Sequence, residues 1–417
     1  MPFLFLRLVW KSRKLSDYRQ RFPERLGFYP VKLDRCLWVH AASVGEALAT
    51  IPLIKALKAR YPQFPMLVTT MTPTGAHRVK AALGDTVTHV YLPYDFPDAV
   101  YRFLKSMKPS MAIIMETEMW PNLFAACRKR NIPVCLMNAR LSARSARGYQ
   151  RILPLTKEIL SHITMIAAQG EADAARFIAL GASKEQVVVT GNLKFDLPLP
   201  DDLLAKGDFL RKNLGENRFV WVAASTHPGE EEKILAAHAM LLKQYPTALL
   251  VLVPRHPDRF DEVDALIAKS FNRVRRSTHD GSTINVPVYL ADTMGEMLLF
   301  YAAADVAFVG GSFIPHGGHN MLEVALLKKA IITGPHVFNF ADIADLFFAS
   351  NAMLKANDEK ALADLLIALA SDKTRCIDLG NRAFEVMKAN GGALQRQLDV
   401  ITRVVNPSTL FSSPADA

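Results

Sequence analysis

The sequence predicts an α/β fold in two similar halves, each built on a mostly parallel sheet, facing one another across a cleft. Three observations predict it. Short apolar runs alternate with helix-like stretches through nearly the whole chain, the pattern of strands covered by helices on both faces. A proline-rich polar break, Leu197-Pro198-Leu199-Pro200-Asp201-Asp202, interrupts the alternation near the middle, after which it restarts. The chain has 417 residues, half of them apolar, more than one domain of ~100–200 residues holds. The predicted organisation is a first domain over 1–195, a linker over 196–200, a second domain over 201–405 and a frayed tail over 406–417. The last helix of the second domain is a candidate to pack back on the first.

Taken in order, the chain opens on an apolar-aromatic run over 2–10, interrupted by Arg7. It is far shorter than the ~20 apolar residues of a spanning helix. Lys11, Arg13, Lys14, Arg19, Arg21 and Arg25 follow it, as in a segment that lies against anionic headgroups. A signal peptide is disfavoured because the charges follow the apolar run and no small-residue cleavage site appears. The plain alternative is an ordinary first helix packed on the domain.

Next, Leu37-Trp38-Val39-His40 reads as a buried strand, Ala41-Ala42-Ser43 as a small-residue turn, and the residues from Val44 as a helix. Ser43 and Glu46 have the S-x-x-E spacing of a capping box, which by itself explains Glu46 without catalysis. Against that stands its position after a parallel-type strand, where ligands sit outside the carboxyl ends. Further strands are predicted over 66–70, 89–93, 111–116, 134–138 and 163–168. Their polar loops, Thr69-Thr70-Met71-Thr72-Pro73-Thr74-Gly75, Glu116-Thr117-Glu118-Met119-Trp120-Pro121-Asn122 and Asn138-Ala139-Arg140-Leu141-Ser142, would meet at the end that carries Glu46. After the break, strands are predicted over 219–224, 248–254, 286–291, 306–310 and 330–333. The loops here are Ser225-Thr226-His227-Pro228-Gly229-Glu230, Val253-Pro254-Arg255-His256-Pro257 and a glycine-rich stretch from Gly310 to Asn320. Backbone N–H groups near Gly311, and a helix capped by Asn320, would receive an anion, and Glu323 would accept from sugar hydroxyls.

Composition narrows the classes. A net charge of +10 suits an anionic partner without choosing among nucleic acid, phosphorylated small molecule and membrane. Nucleic acid is disfavoured because no aromatic stacking motif accompanies the basic residues. Cys36, Cys127, Cys135 and Cys376 lack C-x-x-C spacing and read as reduced core residues, without structural zinc. No Walker A loop and no strand-borne G-x-G-x-x-G occurs. His316-x-x-His319 lies among glycines, off the i,i+4 face of a zinc helix, and reads as a loop pair. Asp95, Glu116 and Glu118, with no D-x-D run, read as capping and surface carboxylates before a cation cluster.

In order along the chain, Ser43-Val44-Gly45-Glu46, the Thr69 to Gly75 and Met115 to Asn122 loops, Asn138-Ala139-Arg140-Leu141-Ser142, Gly191-Asn192-Leu193-Lys194-Phe195-Asp196, Val253-Pro254-Arg255-His256-Pro257, Asp292-Thr293-Met294-Gly295-Glu296 and Gly317-Gly318-His319-Asn320 form a specific set. Together they resemble the 3-deoxy-D-manno-octulosonic acid (Kdo) transferases of Gram-negative lipopolysaccharide synthesis, GT-B glycosyltransferases, over nearly the entire chain. The resemblance implies two Rossmann-like domains, with the donor CMP-Kdo on the C-terminal one and a lipid A precursor as acceptor on the N-terminal one. It implies a site at the cytoplasmic face of the inner membrane, peripheral or N-terminally anchored, and inverting transfer that needs no metal or other cofactor. By resemblance Glu46 is the general base, and Glu116 and Lys194 assist the transition state. Pro254, Arg255, the Met294-Gly295-Glu296 turn and Asn320, Met321, Leu322 and Glu323 hold CMP. The apolar N-terminal segment is shorter than in many members. Two rival readings are a nucleotide-sugar epimerase or hydrolase on the same scaffold and a non-catalytic lipid-binding scaffold. The basic N-terminus speaks against the first, and Glu46 together with Arg255 and Lys194 against the second.

Overall fold

The computed structural model describes residues 21–279 and 284–405. Residues 2–20 of the predicted headgroup-facing segment and the tail 406–417 lie outside the described residues. The chain divides into two compact units, one of residues up to Asp196 together with those from Gly391 on, the other Leu197–Asn390.

The first unit is a seven-stranded sheet. Its strands are β1 (Cys36–His40), β2 (Met66–Thr70), β3 (Thr88–Tyr91), β4 (Pro109–Met115), β5 (Val134–Ala139), β6 (Met165–Ala168) and β7 (Val187–Val189). They lie in the order β3-β2-β1-β4-β5-β6-β7, every neighbouring pair parallel. Successive side chains leave opposite faces, so Cys36 and Trp38 of β1 join one core with Leu67, Ala112 and Ile114, while Leu37 and Val39 join another with Val68, Met111 and Ile113. A sheet buried on both faces favours apolar side chains along its central strands, which is why they read as nearly continuous apolar runs, with buried polar residues gathered at their carboxyl ends: His40, Thr69, Thr70 and Asn138.

The last helix, Ala393–Val404, belongs to this unit: Ala393, Leu398, Val400 and Ile401 enter the core that contains Leu37 and Val39. The Asp196 carboxylate accepts hydrogen bonds from the N–H groups of Gly392 and Leu394, which ties the returning chain to the departing one. The second unit therefore ends at Asn390 and not at the predicted 405, because the final apolar stripe is spent on the first sheet.

The basic set read as surface charge needs a correction at its end. Arg25 is only 2% exposed, packs its guanidinium over the Tyr91 ring at 4.5 Å and donates to the Met71 carbonyl. Arg21 pairs with Glu24 at 2.7 Å, and Glu24 accepts from the Tyr91 N–H. Both arginines thus fasten the short helix Phe22–Leu26 to the end of the sheet. Among the described residues no helix is long and apolar enough to cross a membrane.

The second unit repeats the architecture with β8 (Val220–Thr226), β9 (Leu249–Pro254), β10 (Arg273–Arg275), β11 (Val288–Leu290), β12 (Val306–Val309), β13 (Ala330–Thr333) and β14 (Leu354–Lys355). The order is β10-β11-β9-β8-β12-β13-β14, again parallel throughout. Three short strands, β7, β10 and β14, stand at sheet edges and escaped the sequence reading. All three are only two or three residues long, too short to show a period, and Arg273-Val274-Arg275 shows the charge that edges tolerate.

Candidate active site

Parallel strands all end on the same side of their sheet, so the polar loops that follow them in the first unit are brought together by topology alone. Glu46 lies in the first turn of the helix Val44–Arg60, directly after β1. Ser43 caps that helix by accepting from the Glu46 N–H at 3.3 Å, and the Glu46 carboxylate accepts from the Ala42 N–H at 2.8 Å. The Ser43 cap read from sequence is therefore present, and the Glu46 carboxylate reaches back through Oε2 to Ala42, the residue before that cap.

Glu116 follows β4 in a left-handed backbone conformation, φ 55°. Asn138 has φ 50° where the β5–β6 register shifts between Leu136 and Ala139. A residue other than glycine held at positive φ stores strain that the surrounding structure must maintain, and such strain gathers at functional sites. Asn138 is buried and uses Oδ1 to accept from the Leu193 N–H at 3.0 Å. Its carbonyl accepts from Gln169, which in turn accepts from Asn192, and Asn192 Oδ1 receives the Lys194 N–H at 3.0 Å. Lys194 is thus carried on a short turn braced from β5 and the end of β6.

Three carboxyl groups feel one another here. Burial pushes Glu46 above the usual carboxylate range, its bonds to Ser43 and Ala42 oppose the rise, and the charge of Glu118 adds to it. Burial also raises Glu116, with Glu46 adding to the rise and Lys194 and Arg140 opposing it. Glu118 is raised by burial and by Glu116. Glu46, Glu116 and Lys194 are therefore electrostatic neighbours, and Glu118, read from the sequence as a capping or surface carboxylate, belongs to the same set together with Arg140. Asp95 is a capping residue: its carboxylate accepts from the Asn122 and Leu123 N–H groups at the start of a helix.

In the second unit the predicted residues separate into three kinds. Pro254 ends β9, and Arg255 follows it exposed, its backbone N–H donating to the Thr226 carbonyl at 3.0 Å. Met294, 56% exposed, and Gly295, with φ 87°, form the turn before the helix Met297–Ala303. Glu296 is held at the base of that turn by Arg276 at 2.8 Å and by the Thr293 hydroxyl, and both pull its carboxyl below the usual range. Its side chain fixes the turn. Asn320 accepts from the Leu322 N–H at 3.1 Å and donates to Glu323 at 3.2 Å, and burial raises the Glu323 carboxyl.

Three expectations are corrected. Met321 and Leu322 are fully buried, so their side chains belong to the core and only their backbone remains for a ligand. The helix that Asn320 introduces is Leu322–Leu326, five residues, too short for a substantial dipole. The Gly311 N–H, read as a phosphate donor, is already taken: fully buried Glu230 accepts from Gly311 at 2.7 Å, Ser312 at 3.0 Å, Phe313 at 2.9 Å and His227 at 3.0 Å. Glu230, unremarked in the sequence, is what gives the glycine loop its shape.

Around that loop His227, His256, His316 and His319 gather. Burial lowers His227 to about 4 and His319 to about 3, with the neighbouring histidines and Arg255 adding to the effect, so both imidazoles are neutral at neutral pH.

The chain is similar to known proteins along its whole length. The family model of 3-deoxy-D-manno-octulosonic-acid transferase (kdotransferase) matches residues 20–197. A 3-deoxy-D-manno-octulosonic acid transferase of Haemophilus influenzae is 46% identical over 405 residues, covering 96% of this chain and 95% of its own. One of Bordetella pertussis is 37% identical over 415 residues, 96% of each chain. Among solved structures, the UDP-GlcNAc 2-epimerase of Neisseria meningitidis superposes with a TM-score of 0.57 at 15% identity, over 89% of this chain and 100% of that one. MurG of Acinetobacter baumannii does so with 0.56 at 13%, over 89% and 100%. Those two likenesses concern the fold alone. With two parallel seven-stranded units and relatives of this identity over nearly its full length, the chain belongs to the 3-deoxy-D-manno-octulosonic acid transferase family, glycosyltransferases on the GT-B fold.

Proposed function

We propose that the protein moves Kdo from CMP-Kdo to a lipid A precursor by a single displacement with inversion, releasing CMP, in lipopolysaccharide core biosynthesis. The observation that carries the reading is the set of three mutually repelling carboxyl groups, Glu46, Glu116 and Glu118, beside Lys194 and Arg140 at the strand ends of the first unit. A sugar hydroxyl is far too weak an acid to be ionised at neutral pH, so a base must take its proton as the new bond forms. A carboxylate raised by burial is a stronger base than an exposed one, and Glu46 fits that part. Its Ala42 bond holds Oε2 in place and so orients the carboxylate. Glu116, tempered by Lys194, orients the acceptor and balances the positive charge that develops on the sugar.

On the second unit Pro254, Arg255, the Met294-Gly295-Glu296 turn and Asn320 to Glu323 take the donor. Glu323 and Asn320 offer hydrogen-bonding groups for hydroxyls, and exposed Arg255 meets the phosphate as negative charge grows on it. Cationic side chains that neutralise the leaving phosphate make a metal unnecessary for transfer. The acceptor is an amphiphile, so work at the cytoplasmic face of the inner membrane follows, with the basic first segment as the contact.

The test is Glu46→Gln. CMP affinity should hold while turnover on CMP-Kdo and a tetraacylated lipid A precursor falls ~100-fold or more. Near-normal turnover would leave Glu46 with its capping bond alone.

A further inference from the structure

Two loops of the second unit bring three imidazoles to one place. His227 follows β8, and His316 and His319 lie in the loop after β12. Their ligand-capable nitrogens all lie within 4.8 Å of one another. His227 Nε2 and His319 Nε2 are 2.8 Å apart, their rings nearly parallel at 8°, and the His227 and His316 rings stack with centroids 4.0 Å apart. Gly311 is what makes room. A Cβ there would lie 3.1 Å from His319 Nε2 and 3.3 Å from His316 Nδ1, so these two nitrogens approach the same spot above the loop.

We propose that His227, His316 and His319 form a binding site for a borderline divalent ion, Zn²⁺ before Ni²⁺ or Cu²⁺, with three nitrogen ligands and an open fourth position. Imidazole is the ligand these ions share, and three histidines plus solvent is a recurrent zinc arrangement. Two imidazole nitrogens at hydrogen-bond distance share one proton. Exchanging that proton for an ion with bonds of ~2.0–2.1 Å needs the pair to open to roughly 3.3 Å, the edge of the coordination tetrahedron, a small side-chain shift. His316 is exposed, so the ion has a way in, and the loop beneath is held by the Glu230 carboxylate through the Gly311 N–H and the His227 N–H. Arg255 works the other way: its charge is felt at both His227 and His319 and opposes a cation. The site stands on the histidine geometry and does not rest on the donor assignment.

Tag-free full-length protein, stripped with chelator, is titrated with Zn²⁺ against a chromophoric chelator, and separately with Co²⁺ while the visible spectrum is followed. All four cysteines are buried, so they do not compete for the ion. The expected result is one ion per chain and the intense absorption of four-coordinate cobalt. His316→Gln, at an exposed position, should keep the melting temperature and weaken binding at least tenfold, while His316→Gln with His319→Gln abolishes the cobalt band. Arg255→Gln should bind Zn²⁺ several-fold more tightly. Absence of stoichiometric binding to the wild type overturns the proposal, and so does wild-type affinity in folded His316→Gln and the double variant.

Discussion

Replacing Glu230 by Gln changes one oxygen for an NH₂ group in a fully buried place. In the native protein Oε2 accepts from the His227 and Gly311 N–H groups and Oε1 from those of Ser312 and Phe313, at 2.7–3.0 Å. An amide satisfies one of these pairs and turns a donor toward the other, so two buried N–H groups lose their partner. Each costs ~1–3 kcal/mol, which gives about 4 kcal/mol in all. For a unit of this size 1 kcal/mol moves the melting temperature by ~2–4 °C, so the transition of the second unit should fall by roughly 8–16 °C. Calorimetry reads the loss, and hydrogen exchange locates it, since the amides of Gly311, Ser312 and Phe313 should exchange far faster than in the wild type. A drop of ~2 °C or less with unchanged exchange at those amides would refute the view that Glu230 holds the glycine loop.

Other consequences follow from the same geometry. Glu118→Gln removes a negative charge felt by Glu46 and so favours its ionised form; the acid limb of the kcat/KM profile should move to lower pH, and an unmoved or raised limb would sever the coupling. Glu116 has a folded-state carboxyl raised above the unfolded value of ~4.3, so its destabilising effect is absent below that value and develops as pH rises through the folded pKa. Glu116→Gln should therefore raise the melting temperature at pH 7 but not near pH 4, and a gain of equal size at both would contradict the sign. Arg255→Ala removes the cation assigned to the leaving phosphate and should cost ~3 kcal/mol in kcat/KM, on the order of a hundredfold, with the fold intact; unchanged kinetics would take Arg255 out of the site.

The central strands were legible because burial on both faces forces apolar runs, and Ser43 and Glu46 because capping has a fixed spacing. The strands β7, β10 and β14 were not, since two or three residues are too few to show a period. Glu230 stood in plain view in Thr226-His227-Pro228-Gly229-Glu230-Glu231, yet nothing local says that its carboxylate crosses to the loop after β12; only the adjacency of β8 and β12 does. The Asn138 strain and its bond to Leu193 are equally non-local. Met321 and Leu322 show the converse, for a motif match carries no burial, and both side chains turned out to be core. The histidine pair in the glycine loop lacked metal spacing on its own because the third imidazole comes from the loop after β8, 92 residues before His319.

The return of Ala393–Val404 to the first sheet has a consequence for synthesis. The first unit cannot close over Leu37 and Val39 until the chain past Gly391 has left the ribosome, whereas everything the second unit needs is delivered earlier. The part that begins first is finished last. A chain stopped at Asn390 would carry a complete second unit beside a first sheet with an uncovered apolar stripe, a nascent species suited to holding by a chaperone. Meanwhile the staple from Asp196 to Gly392 and Leu394 marks residues 197–390 as an insertion with adjoining ends, a segment that can be excised and expressed alone.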